Sequence, residues 1–286
     1  MNQTSERIGS RLHRLSEVSM MKQVEPLSYA LFPGYHCPLM GAMLTIGKIR
    51  DAVMLVIGPD ECTYYTKMAT SDGGRMASEG CQIVSVVLDQ HDVTFGCKEA
   101  ITKAFQELNE EYHPKCVFAV TTCVPEVTGD DVESMAAVFS SQYGFPVVVV
   151  HAENFKTDDH MPGIEHTLTG CLPLMQPKEC NGSVNVLGLR LGDFSKTETC
   201  RILRENGVPV GLTLPGSCSV SDIQNAPTAK VNLVVHPVGL PLAKAMEEKF
   251  GIPYVDLERF SRPDSTLTAY EQLFAPLEKP MPEHLR

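Results

Sequence analysis

Short, fully apolar runs alternate with amphipathic stretches along most of the sequence, and that alternation restricts the chain to one fold class. Residues 52–57 read Ala-Val-Met-Leu-Val-Ile and close on Gly58 and Pro59, and residues 83–88, 116–121 and 147–150 repeat the pattern. Runs apolar on both faces are buried on both sides, the signature of parallel strands covered by helices. Between them, residues 99–108 place Ile101, Ala104, Phe105 and Leu108 at helical spacing. A further helix carries Met135, Val138 and Phe139 behind Asp130 and Asp131, whose charges favour its N-terminus. A second series follows: strand 184–189, helix 197–205 stopped by Asn206 and Gly207, strands 208–212 and 231–235, helix 240–250 stopped by Gly251, strand 254–257. Alternation of this kind, with right-handed crossovers, predicts an α/β protein with two Rossmann-like parallel-sheet domains.

Two segments fall outside the alternation. Residues 1–30 are polar, with Leu12, Leu15 and Val18 on one side, and predict an N-terminal helical arm. Residues 153–181 are rich in Pro, Gly, Asp and His without a clean period, and predict an irregular crossing between domains. The expected division is therefore an arm over 1–30, one α/β domain over 31–180 and a second over 181–286. The net charge of −11 comes with no basic run, which argues against nucleic acid or an anionic membrane as partner. No apolar run approaches the roughly 20 residues of a membrane span. Ten cysteines in 286 residues fall below the density of a disulfide scaffold, and the start of the chain lacks the apolar stretch of a secretory signal. A reducing, cytoplasmic compartment is expected, with cysteines acting as ligands or core thiols.

Three cysteines stand apart, each in a Gly- and Pro-rich turn: Cys37 before Pro38, Cys62 after Gly58 and Pro59, Cys123 before Pro125. Thiolates on such turns, with backbone N–H groups free to face inorganic sulfide, suit an iron–sulfur cluster. In parallel sheets ligands gather past the carboxyl ends of the strands, a rule that singles out Cys62, Cys123, His151 and His236. Among the other cysteines, Cys97 and Cys218 near helix starts are expected to feel the dipole that lowers a thiol pKa. Cys81, Cys116 and Cys200 read as core positions, while Cys171 and Cys180 lie in the irregular crossing, open to the substrate pocket. No nucleotide is expected on this chain: Ser195 stands where a P-loop needs Gly before Lys, and G-x-G-x-x-G is absent.

Five segments in order carry a specific resemblance: Tyr35-His-Cys-Pro-Leu-Met-Gly-Ala42, Ile57-Gly-Pro-Asp-Glu-Cys62, Asp92-Val-Thr-Phe-Gly96, Thr122-Cys-Val-Pro-Glu-Val-Thr-Gly-Asp-Asp-Val-Glu133, and residues 231–235 with Met246-Glu-Glu-Lys-Phe-Gly-Ile-Pro253. Together they resemble the nitrogenase component 1 family over most of the chain. The resemblance implies that Cys37, Cys62 and Cys123 hold a cluster at a subunit interface, a 4Fe-4S cluster or a larger one. Three thiolates leave one site of a cubane open, to be filled by a partner chain, by solvent, or by a carboxylate such as Asp60 or Glu61. It also implies an ATP-dependent iron-protein reductase as electron donor, and a homodimer or a paralogous subunit sharing the cluster.

Departures from the family pattern narrow the chemistry. Where members that reduce dinitrogen hold their large cofactor by a cysteine just past the strand at 231–235, this chain has His236. Where they place Gln and His, in the loop equivalent to 155–166, it has His160 and Ile164. Dinitrogen is thus not the expected substrate, and His236 and His160 become the candidate catalytic groups, His151 and His166 being further cleft candidates. Family subunits commonly carry a further Rossmann-like domain beyond the length read here, which leaves the cleft open or closed by another subunit. The expected function is an electron-accepting catalytic subunit of a nitrogenase-like reductase. The alternatives are a non-catalytic scaffold for metallocofactor assembly and a metal-free interaction domain.

Overall fold

The computed structural model describes residues 37–70, 80–157, 159–189, 192–257 and 263–282. The arm expected over 1–30, and Tyr35 and His36 of the first motif, lie outside them.

The chain enters through helix α1 (Pro38–Ile46) and the short strand β1 (Ile49–Arg50), then builds a sheet from β2 (Ala52–Gly58), β3 (Gln82–Val87), β4 (Cys116–Thr121) and β5 (Val147–His151). The crossovers are α2 (Asp60–Thr70), the pair α3 (Gln90–Phe95) and α4 (Lys98–Glu107), and the pair α5 (Cys123–Thr128) and α6 (Val132–Tyr143). All pairings are parallel, in the order β3-β2-β4-β5. Helix α7 (Met161–Gly170) leads to a second sheet of β6 (Ser183–Leu187), β7 (Val210–Leu214), β9 (Ala229–Val234) and β10 (Tyr254–Asp256), also parallel, ordered β10-β9-β6-β7. The strand β8 (Cys218–Ser219) pairs with β1 outside both sheets. Helices α8 (Glu198–Glu205), α9 (Val220–Asn225), α10 (Leu240–Phe250) and α11 (Pro263–Phe274) complete the fold.

The two-faced apolar strands are explained by two different cores. Val53, Leu55, Ile57, Val117 and Ala119 face outward onto Ile101 and Phe105 of α4 and Phe139 of α6. Their alternates Met54, Val56, Phe118 and Val120 face inward to a central core shared with Leu187, Leu212, Leu214 and Val234 of the second sheet. Helices α1, α7 and α10 fill the space between the sheets. The far side of the second sheet is covered by α8 and α11, through Ile202, Leu203, Tyr270, Leu273 and Phe274.

Two expectations are corrected here. The crossing expected to be irregular over 153–181 contains α7, which buries Gly163, Ile164, Thr167 and Leu168 on one face. The segment after Cys37 is helical, α1, and not an extended turn. Both helices depend on glycine. A Cβ on Gly41 would lie 1.9 Å from the His160 carbonyl oxygen, and one on Gly163 only 1.8 Å from that of Pro38. Backbone meets backbone at this crossing, closer than any side chain permits. Because the obstacles are main-chain carbonyls, Gly163→Ala is expected to lower unfolding free energy by about 3 kcal/mol. Urea denaturation followed by circular dichroism checks this, with Lys103→Ala on an exposed helix face expected to stay within about 0.5 kcal/mol of wild type.

Candidate metal centre

In the first sheet the chain leaves β2 toward β3 on one side and continues from β4 to β5 on the other, so the strand order reverses between β2 and β4. At such a switch point the following loops splay apart and open a crevice. Cys62 lies in the first turn of α2, just past β2, and Cys123 is the first residue of α5, just past β4. The two strands end in register, with Ile57 opposite Thr121. Thr122 staples the ends: its N–H and its hydroxyl both donate to the Ile57 carbonyl, at 3.1 and 3.0 Å. It occupies the space that Gly58 leaves open, where a Cβ would stand 2.2 Å from the Thr122 hydroxyl.

Cys37 caps the N-terminus of α1 with an extended backbone. All three cysteines thus sit at helix N-termini, where the sequence alone suggested loops. Each end presents unpaired N–H groups and the positive end of a dipole. The Leu39 N–H lies close enough to the Cys37 thiol to lower its pKa, the Met40 N–H donates to the Cys37 carbonyl at 3.0 Å, the Asn154 N–H donates to the Cys123 sulfur at 3.1 Å, and Thr122 lies beside Cys62. Thr122 and Asn154 were not legible as site residues in the sequence. Their signal is positional: one precedes a strand-end cysteine, the other follows the last residues of a neighbouring strand.

The three thiols feel one another. Burial raises the Cys37 thiol above its ordinary pKa, with the Cys123 charge adding to it and the backbone N–H groups opposing. Burial also pushes Cys62 up to about 11, with further contributions from Cys37, Cys123 and Glu61. Cys37 and Cys62, both raised, must release their protons to bind metal. The three thiols do not figure among the side-chain sets, in the described residues, whose ligand atoms all lie within 4.8 Å of one another. Three electrostatically coupled thiols at helix N-termini, with an N–H donor on the Cys123 sulfur, fit an iron–sulfur core.

Asp60 and Glu61 are exposed in the first turn of α2, and the Glu61 charge reaches Cys62. His160 precedes α7, is 6 % exposed, and has Nδ1 at 3.0 Å from the Asp159 carboxylate. His236 lies past β9 at the switch point of the second sheet, and its Nδ1 accepts the Val238 N–H at 3.3 Å. The last register pair there is Leu187 with Val234, so His236 stands two residues past its strand, as Cys123 does past β4. His166 Nδ1 meets the His151 carbonyl at 2.7 Å, and the His151 ring faces Glu126. The remaining cysteines are core thiols or exposed. Cys97 caps α4, yet burial and Asp130 push its pKa up to about 12, and Cys218, in β8, is pushed up to about 12 by burial and Asp222. Desolvation outweighs the lowering expected from the helix dipole. Cys171 is sealed in the central core and does not open to a pocket, while Cys180 is exposed.

The profile of the family described as nitrogenase component 1 type oxidoreductase matches residues 37–286. The nitrogenase iron-molybdenum cofactor biosynthesis protein NifE of Clostridium pasteurianum is 31 % identical over 237 residues, covering 80 % of this chain and 51 % of the relative. The nitrogenase molybdenum-iron protein alpha chain of the same organism is 28 % identical over 222 residues, covering 74 % and 42 %. A solved structure of nitrogenase Cp1 at pH 6.5 superposes with a TM-score of 0.68 at 25 % identity, over 87 % of this chain and 51 % of that one. The chain spans about half the length of these relatives. On the extent of the match, the chain belongs to the nitrogenase component 1 type oxidoreductase family.

Proposed function

We propose that this chain is the electron-accepting catalytic subunit of a nitrogenase-like, ATP-dependent reductase, with Cys37, Cys62 and Cys123 holding an iron–sulfur cluster. The observation that carries the reading is the convergence of three mutually interacting thiols at helix N-termini around one switch point. Such a cluster supplies one-electron storage and transfer. The chain's own groups do the rest. The N–H groups of Leu39 and Asn154 stabilise negative charge on the sulfurs, and the ends of α1, α2 and α5 add to that field. The fourth position of a 4Fe-4S core falls to a partner copy or paralogous subunit, to solvent, or to Glu61 or Asp60.

Reduction of a substrate also needs protons. Because His236 accepts the Val238 N–H at Nδ1, its neutral ring carries its proton on Nε2, which makes it a candidate proton donor, and His160 is a second candidate. An exposed apolar patch supports docking of an iron-protein reductase. Phe95 is 75 % exposed and Val127 is 72 % exposed, on helices α3 and α5, which pack together. Val127 shares α5 with Cys123, so a protein seated there is brought close to the cluster site.

A second reading, a scaffold on which a metallocofactor is assembled and handed on, is favoured by the similarity to NifE, named for cofactor biosynthesis. The two separate by stoichiometry. With reductase and ATP a catalyst reduces many equivalents of substrate, whereas a scaffold loads once and transfers its cargo.

Two outcomes are expected. Anaerobically reconstituted Cys62→Ala should lose most of its bound iron and sulfide and the EPR signal of the dithionite-reduced cluster, and an unchanged signal would move the ligand elsewhere. Phe95→Ala should slow reductase-driven reduction of the cluster by about tenfold, the loss of one apolar anchor at an interface. Reduction by dithionite, which needs no docking, should be unchanged.

A further inference from the structure

Beside the thiols lies a second set of ligands that the cluster does not use. His151, the last residue of β5, is held between two carboxylates: Nδ1 is 2.5 Å from Glu126 Oε1 on α5, and Nε2 is 2.5 Å from Glu133 Oε1 on α6. The Thr121 hydroxyl donates to the same Glu126 oxygen. Glu153, just past β5, is 5 % exposed; its Oε1 takes Lys156, and its Oε2 has no partner among the described residues. One ligand atom from each of Glu126, His151 and Glu153 falls within 4.8 Å of the other two. A buried carboxylate oxygen with no donor is costly and calls for a partner.

We propose that Glu126, His151 and Glu153 form a mononuclear site for a divalent first-row cation, separate from the three cysteines. One imidazole and two carboxylates suit a borderline or hard ion such as Mn2+, Fe2+ or Zn2+. The surrounding contacts are those a metal site uses. With Nδ1 on the ion, Nε2–H donates to Glu133, the carboxylate that fixes a ligating histidine in its tautomer. Thr121 orients Glu126 in the same manner. Charge agrees as well. Three carboxylates face Lys156 and the His151 ring, and a divalent ion in place of the Nδ1 proton brings the group to neutrality.

The other tight set, Asp89, His91 and Asp92, has an ordinary structural explanation. Asp89 accepts the N–H groups of His91 and Asp92 as the cap of α3, and among the described residues none of the three has a buried orphaned oxygen.

Binding displaces a proton. Flanked by Glu126 and Glu133, His151 has its pKa raised above the ordinary imidazole value, against the effect of its own partial burial. The charged groups around it are Glu126, Glu133, Glu153 and Lys156, and His166 touches its carbonyl.

Mn2+ is the discriminating probe, because thiolates bind it poorly. The free-ion EPR signal of Mn2+ titrated into the full chain should show one bound equivalent at pH 7.5, also in the variant with Cys37, Cys62 and Cys123 all changed to Ser. Glu153→Gln should weaken binding by at least tenfold with circular dichroism unchanged. Glu133→Gln, at a largely exposed side chain that is not itself a ligand, should weaken it by about tenfold. Absence of a bound equivalent in wild type, or wild-type affinity in both Glu variants, overturns the site. Loss of Mn2+ binding in the triple Ser variant would assign the ion to the cysteines and overturn it equally.

Discussion

The crossing of α1 and α7 is the contact on which the arrangement depends. It lies in the central core between the two sheets and is made by Gly41 and Gly163, with backbone against backbone. Cys37 immediately precedes α1 and His160 immediately precedes α7, so a crossing that cannot slide fixes both. Any side chain at either glycine must push the helices apart, and with them the first cysteine away from the other two. Packing in the core and geometry at the sulfurs are thus one constraint.

A second constraint comes from repetition. Counted in chain order, both sheets have the same arrangement: the first strand is flanked by the second on one side and by the third and fourth on the other. Both therefore have a switch point, and both close its floor with a glycine. Gly58 abuts Thr122, and Gly188, at φ 91°, abuts the backbone of His236 and Gly239. Above that floor the chemistry differs. The first crevice carries Cys62 and Cys123, and the second carries His236 where the register places the counterpart of Cys123. One topology places sulfur side chains in one half and an imidazole in the other.

How much of this the sequence disclosed follows from where its apolar residues sit. Strands 116–121 and helix 240–250 match the observed elements, because a strand buried on both faces and a helix ended by Gly251 leave unambiguous patterns. Helices α1 and α7 left none. Nearly every residue of α1 is buried, so it has no polar face to set the period. In α7 the buried face is carried partly by Gly163 and Thr167, residues that do not register as hydrophobic. For the same reason the cysteines read as loop residues: Cys37 precedes a helix without amphipathic contrast, and α5 spans six residues. The Glu126, His151 and Glu153 set was invisible as a unit, since His151 ends β5, Glu153 lies just past it and Glu126 sits on a helix after β4. Adjacent parallel strands bring them together.

The thiol pKa values add a last physical step. Helix N-termini and N–H donors lower a thiol pKa, yet burial and mutual repulsion hold Cys37 and Cys62 above their ordinary values. At Cys37 and Cys62 the dipoles alone do not offset burial. Each thiolate formed makes the next harder to form, as in any group of interacting sites. Several positive charges placed among the sulfurs at once reverse that balance, because each then attracts all three thiolates and the N–H donors act with it. A polynuclear cationic core, which places several charges at once, meets this condition better than a single ion does.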